Sequence, residues 1–370
     1  MDAMDRVVLP VGRRDVALGS DVKSKGRRWG IGKIFSPLGR LFRQRCSGKG
    51  DDDKVGVGQD VVERKLKDRY TIRDHDRDGC LRVYSIDEEL AVVAAVKDLK
   101  KIEVPDRHLE VRDLGKYKVA LVHARGDREE MEDRHLMMEI SLPRHGTLMQ
   151  VAGIFDGHGG EATAEFLQRN LGKSLQSKLN SLERLDDVHL WNALKSICVE
   201  VNDQLKQERS YQESGATALV TLVINDGLWV MNVGDSRAVL SVGGEAVQLS
   251  EDATPCDPKY LRGVIKRGGC LWQGRVNGLL AVARAFGDFE VPGMTACPKL
   301  AKFDLSAVKG QHNVLILACD GLWDVTGSSQ AAKFVQNHPI ETAAERLVTH
   351  AYLNQCGDNI SVMLIDLSVG

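Results

Sequence analysis

The chain has 370 residues, 43% hydrophobic and 28% charged, which is ample for one large core or two smaller ones. A net charge of -2 argues against bulk nucleic-acid binding. Eight scattered Cys, no run of about 18 apolar residues and no signal-peptide apolar core point to a reduced, cytoplasmic protein, with nuclear or membrane-peripheral placement left open.

Residues 1–60 form the first segment. Between Val22 and Gly50 every ionisable side chain except Cys46 is basic, with Trp29, Ile31, Phe35, Leu38 and Phe42 interleaved. Three readings follow: a disordered basic tail, a short amphipathic helix that touches an anionic membrane or a partner through residues 22–50, or an organelle transit peptide, in which Asp2, Asp5 and Asp15 would be unusual. Gly30, Gly32, Pro37 and Gly39 weigh against the helix. Residues 61–116 are a charged extension with one helical stretch near 86–99. Asp74, Asp76, Asp78 and Gly79 match the first half of a calcium loop. Ser85 stands where a bidentate Glu belongs, so a solvated Asp/Gly turn is the preferred reading.

From about Tyr117 to residue 370 the texture changes. Residues 118–124, 148–155, 217–224, 228–233, 238–242, 314–319 and 360–365 read as strands; 162–179, 188–208 and 340–352 carry helical spacing. Turns at Asn225-Asp226-Gly227 and Gly243-Gly244 join strands too closely for crossovers. The expected fold is therefore α+β, with largely antiparallel sheets covered by helices and not a doubly wound parallel sheet.

The chemistry concentrates at strand ends. The run 151–155 stops at Asp156-Gly157-His158-Gly159-Gly160, Asp320 follows the strand 314–319, and Asp358 precedes the strand 360–365. If the last two strands pair antiparallel, both Asp fall at one end of the sheet, where Asp156 can join them. Three converging carboxylates repel unless cations lie between them. Oxygen ligands without Cys favour magnesium or manganese, and the Gly157 carbonyl can add a further ligand. A second cluster runs from Gly126 to Asp133. Its Arg128 has the fork that grips a phosphate, while Glu132 and Asp133 can hold water on a metal. A further Asp, Asp235, follows another strand.

These motifs together resemble the metal-dependent protein serine/threonine phosphatases of type 2C. The matching stretches are Arg128-x-x-Met131-Glu132-Asp133, Asp156 to Gly160, Ser214-Gly215-Ala216-Thr217, Gly234-Asp235-Ser236-Arg237, Arg275-Val276-Asn277-Gly278 with Leu280 to Asp288, Cys319 to Asp324, and Gly357 to Ser361. The resemblance covers about 117–367. It implies a four-layer α-β-β-α sandwich of two mainly antiparallel sheets flanked by helices. It implies hydrolysis of phosphoserine and phosphothreonine in proteins by a metal-activated water at a binuclear Mg2+ or Mn2+ site, with no Cys nucleophile. By the same resemblance Asp156 bridges the two metals, Gly157, Asp320 and Asp358 complete their sites, and Glu132 acts through water. Asp235 with Asp320 holds a weaker third metal, Arg128 binds the phosphate, and His158 protonates the leaving oxygen. A monomer is expected.

One segment departs from the family pattern. Ala253 stands where His is usual, Arg262-Gly263 where Glu-Arg is usual, and Ala283 where Ser is usual. These positions belong to the flap beside the site and not to the metal ligands. The alternative they raise is a pseudophosphatase, a phosphosite-binding scaffold with an altered flap.

Overall fold

The structure is a computed structural model. It describes residues 103–208 and 213–368. The basic segment 1–60, the loop 74–85 and the expected helix 86–99 lie outside the described residues.

The first half runs β1 (His108–Leu114), β2 (Tyr117–Ala124), β3 (Arg134–Leu142), β4 (Thr147–Phe155), β5 (Gly157–His158), α1 (Ala162–Ser181) and α2 (Asp187–Gln207). Next come β6 (Gly215–Ala216), β7 (Ala218–Ile224), β8 (Gly227–Val233), β9 (Arg237–Val242), β10 (Glu245–Gln248) and α3 (Pro258–Lys266). The rest is β11 (Leu271–Trp272), β12 (Arg275–Val276), β13 (Phe286–Gly287), β14 (Lys299–Asp304), β15 (Asn313–Ala318), α4 (Asp320–Trp323), α5 (Ser328–Gln336), α6 (Ile340–Leu353) and β16 (Ile360–Asp366).

Two large sheets carry the fold, in strand orders β14-β8-β7-β4-β3 and β1-β2-β16-β15-β9-β10. Every pairing within them is antiparallel. Their side chains alternate between two buried faces. On β16, Val362 and Leu364 pack under α5 and α6, while Met363 and Ile365 face the other sheet. On β4, Val151 and Phe155 pack under α1 and α2, while Ala152 and Ile154 face inward. Burial on both faces explains why these strands read as continuous apolar runs. Three cores, helix–sheet, sheet–sheet and sheet–helix, make the four-layer sandwich that the resemblance implied.

Local signals agree with the packing. In α2, Leu190, Ala193, Leu194, Ile197, Val201 and Leu205 fall on one buried stripe. The Asp186 side chain caps its N-terminus, accepting a hydrogen bond from the His189 amide at 3.0 Å. The sheet begins upstream of the Tyr117 boundary expected from texture, because β1 pairs along its whole length with β2. β1 is an edge strand with six exposed residues, and its short alternation of Leu109 and Val111 with charged residues packs against no core. Among the described residues no helix is long and apolar enough to cross a membrane.

Candidate metal centre

β15 and β16 pair antiparallel with Ala318 opposite Val362, which brings Asp320 and Asp358 to one end of their sheet. β4 of the other sheet delivers Asp156 to the same end, and the turn after β8 delivers Asp235. Asp156, Asp235 and Asp320 each place a carboxylate oxygen within 4.8 Å of the others.

The electrostatics follow from that crowding. Burial, then the charges of Asp320, Asp133, Asp235 and Asp358, push the Asp156 carboxyl well above its ordinary range. Burial, then Asp235, Asp358 and Asp324, do the same to Asp320. Burial, with help from Asp252 and Asp324, raises Asp235 to about 7. The Oδ1 atoms of Asp235 and Asp133 are buried and have no hydrogen-bond partner. Such a set must either take up protons or hold cations. Every donor is oxygen, so the residues fit hard divalent ions such as Mg2+ or Mn2+.

The acidic loop 126–133 is seated on the Asp156 turn. A Cβ at Gly157 would come within 2.6 Å of the Glu132 carbonyl, so only glycine lets the two backbones approach this closely. Glu132 Oε1 accepts a hydrogen bond from the Gly160 amide at 2.6 Å, which fixes its carboxylate beside the cluster. Asp133 is almost wholly buried; Ser361 Oγ donates to its Oδ2 at 2.5 Å. Burial raises Asp133 to about 6.

Asp358 and Arg128 meet each other. Arg128 Nη2 donates to Asp358 Oδ2 at 2.6 Å, and its Nε donates to the Gly357 carbonyl at 3.0 Å. The guanidinium is half-exposed. Asp358 therefore acts on Asp156 and Asp320 through its charge, and the three-carboxylate contact is made by Asp235 in its place.

His158 Nε2 lies 3.0 and 2.8 Å from the two carboxylate oxygens of Asp288. Burial by itself would depress the imidazole, but the hydrogen bond and charge of Asp288, with Asp235 and Glu132, raise it above its ordinary 6.5.

Three residues that sequence reasoning assigned no role stand in this site. Asp288 holds His158. Asp324, one helical turn after Asp320, adds charge to Asp320 and Asp235. Asn359 accepts from the Glu132 amide and donates to the carbonyls of Arg125 and Glu130, tying the acidic loop to the start of β16. All three lay inside the quoted motifs, but the partners of Asp288 and Asn359 are distant in sequence.

Of the flap departures, Ala253 and Ala283 are packed, while Arg262 is exposed and Gly263 half-buried. Ala253 and Ala283 are buried with Tyr260, Val264 and Val276 in a small separate core. The Ala283 amide donates to the Ala253 carbonyl at 2.7 Å, and the Ala253 amide donates to the Gly234 carbonyl at 2.8 Å. The two alanines that replace polar residues are thus neighbours, and they close a dry core that is anchored beside Asp235.

Known proteins resemble this chain in sequence and in fold. A family model described as Protein phosphatase 2C matches residues 117–360. Protein phosphatase 1L of Bos taurus is 32% identical over 266 residues, covering 67% of this chain and 72% of its own. Probable protein phosphatase 2C 45 of Oryza sativa subsp. japonica is 33% identical over 258 residues, covering 68% and 88%. In fold, a phosphatase from a pathogenic strain of Toxoplasma gondii is similar with a TM-score of 0.58 at 22% identity, covering 70% of this chain and 95% of that one. A C. elegans sex determining protein is similar at 0.58 and 20%, covering 87% and 77%. With the family match, this chain belongs to the protein phosphatase 2C family, the metal-dependent protein serine/threonine phosphatases.

Proposed function

We propose that the chain hydrolyses phosphoserine and phosphothreonine in proteins at a binuclear Mg2+ or Mn2+ centre. The observation that carries this reading is the meeting of Asp156, Asp235 and Asp320 within 4.8 Å where the strand ends of both sheets converge. Asp156, Asp320, Asp358 and the Gly157 carbonyl would hold the two ions, with Glu132 acting through water and Asp235 serving a weaker third site. When bound, such ions activate water for in-line attack and offset charge on the phosphoryl oxygens.

The protein's own groups supply the rest. Arg128 would grip the phosphate with a planar pair of donors. Glu132, held by the Gly160 amide, orients water at the cluster. His158 gives a proton to the departing seryl or threonyl oxygen, which is a poor leaving group without one. None of the described cysteines is needed as a nucleophile. Cys319, the one beside Asp320, is buried, and that burial raises its thiol well above the ordinary range, which keeps it protonated and inert.

The closed alanine pair in the flap supports an active enzyme over a scaffold, because the flap core is filled. Substrate phosphoproteins are the expected partners, and the basic segment 22–50 is proposed as a peripheral membrane or partner contact. The test is phosphopeptide hydrolysis by the full chain with manganese. Turnover should be blocked by EDTA and lost in Asp156→Ala and Asp320→Ala. Binding of the phosphopeptide without turnover at saturating manganese would replace this reading with the scaffold.

A further inference from the structure

The three-stranded ribbon β13-β6-β5 lies against the catalytic cluster. Its register sets His158 of β5 opposite Gly215 of β6, and Gly215 in turn opposite Gly287 of β13. The three residues form one row, and Asp288 follows directly. His158 and Asp288 thus approach from opposite sides of the middle strand. A Cβ at Gly215 would overlap both the His158 Nε2 atom and the Asp288 Oδ2 atom. Only a glycine at the centre of the row lets the imidazole and the carboxylate meet.

The ribbon is pinned from behind. The Gly287 amide donates to Asn202 Oδ1 of α2 at 3.0 Å. The Asp288 amide donates to the Ser214 carbonyl at 3.2 Å. That same carbonyl accepts from Thr163 Oγ1 of α1 at 3.0 Å. Asp288 is held at φ 49, a left-handed conformation that Asp and Asn adopt more readily than most residues. Its side chain is almost fully buried, and both carboxylate oxygens are turned to the imidazole.

We infer that Asp288 is the positioning residue of the reaction, orienting His158 across Gly215 so that its Nδ1 serves the leaving oxygen. With Nε2–H donating to the carboxylate, Nδ1 is the nitrogen left to exchange a proton with substrate. The inference rests on the proposed role of His158. It also gives a single reason why motifs at 157–158, 214–217 and 286–288 occur in one chain: they are three strands of one device.

The experiment compares wild type, His158→Ala, Asp288→Asn and Gly215→Ala at saturating manganese on two substrates. One is a phosphothreonine peptide, whose leaving oxygen needs a proton. The other is p-nitrophenyl phosphate, whose leaving group departs without one. Asparagine keeps the shape and the left-handed backbone, but its amide can donate to Nε2, leaving a neutral ring whose one proton, on Nδ1, is far harder to give up than that of the doubly protonated ring. The expected result for Asp288→Asn is a kcat on the peptide lower by about 10–100-fold, a much smaller loss on the nitrophenyl ester, and an unchanged KM. Gly215→Ala, which keeps both groups and drives them apart, should give the same selective loss. Manganese affinity by calorimetry should be unchanged in Asp288→Asn. Nitrogen NMR of the metal-free protein should show His158 protonated on Nε2 in wild type and shifted toward Nδ1 in Asp288→Asn. Selective loss in His158→Ala with equal losses on both substrates in Asp288→Asn would overturn the positioning role and leave the His158 reading intact. So would wild-type His158 with no proton on Nε2 in the NMR spectrum. Equal losses in His158→Ala would overturn the His158 reading itself, and this inference with it.

Discussion

The carboxylate cluster should make the metal-free protein less stable as pH rises, and Asp235 shows why. Its folded-state pKa is raised from 3.8 to about 7 by burial and by Asp252 and Asp324. For a raised carboxyl the contribution to stability is fully present below pH 3.8 and is lost as pH climbs through about 7. At 1.36 kcal/mol per pH unit, the complete loss is at most about 4 kcal/mol. Half of that, about 2 kcal/mol, would lower Tm by roughly 4–8 °C in a domain of this size. Thermal melts in EDTA at pH 5 and pH 8 measure it, and Mn2+ should reverse the loss at pH 8 by binding only the folded state. Asp235→Asn removes the charge and should raise Tm at pH 8 in EDTA while reducing the stabilisation by Mn2+. A flat Tm between pH 5 and 8, or a lower Tm for Asp235→Asn in EDTA, would refute the claim that burial and neighbouring carboxylates disfavour the Asp235 charge in the folded state.

Four further outcomes follow from the geometry. Glu132→Gln should lower manganese-dependent turnover by about 10–100-fold with little change in Tm, since the side chain orients water and is held by one amide; steady-state kinetics with circular-dichroism melts would check both. Arg128→Ala should raise KM for a phosphopeptide by roughly 10–100-fold, the worth of a charge-assisted hydrogen bond, as initial rates over a substrate series would show. Ala253→His should destabilise by about 1–3 kcal/mol through overpacking of the closed flap core, measured by urea unfolding, and adding Ala283→Ser should change that cost non-additively because the two residues touch. Leu364→Ala, between β16 and α6, should cost about 2–5 kcal/mol in the same assay without altering the manganese requirement.

Much of the architecture was legible in the residues. β4, β7, β8, β15 and β16 are buried on both faces, so their apolar runs announce themselves, and the tight turns at 225–227 and 243–244 force antiparallel neighbours. Asp156, Asp320 and Asp358 could be placed at one end of the sandwich from strand polarity. β1 escaped notice because it is an exposed edge. β3 and β14 did so because their apolar residues are interrupted by Arg134, His135, Glu139, Lys299 and Lys302, whose stems or polar tips reach the sheet margins. The two alanines at 253 and 283 looked like separate departures; only the tertiary structure shows them to be neighbours in one small core.

The sequence by itself determined the chemistry, because oxygen donors at strand ends, an Arg beside them and an imidazole two residues after Asp156 are properties of residue type and local spacing. Only the tertiary structure decided the partnerships. Asp235 and not Asp358 closes the three-carboxylate contact, Arg128 rests on Asp358, Asn359 ties down the acidic loop, and Asp288 reaches His158 from 130 residues away. The physical reason is that such contacts depend on register across strands and on which side chain is missing between them. No local pattern encodes that the space between His158 and Asp288 is a glycine's.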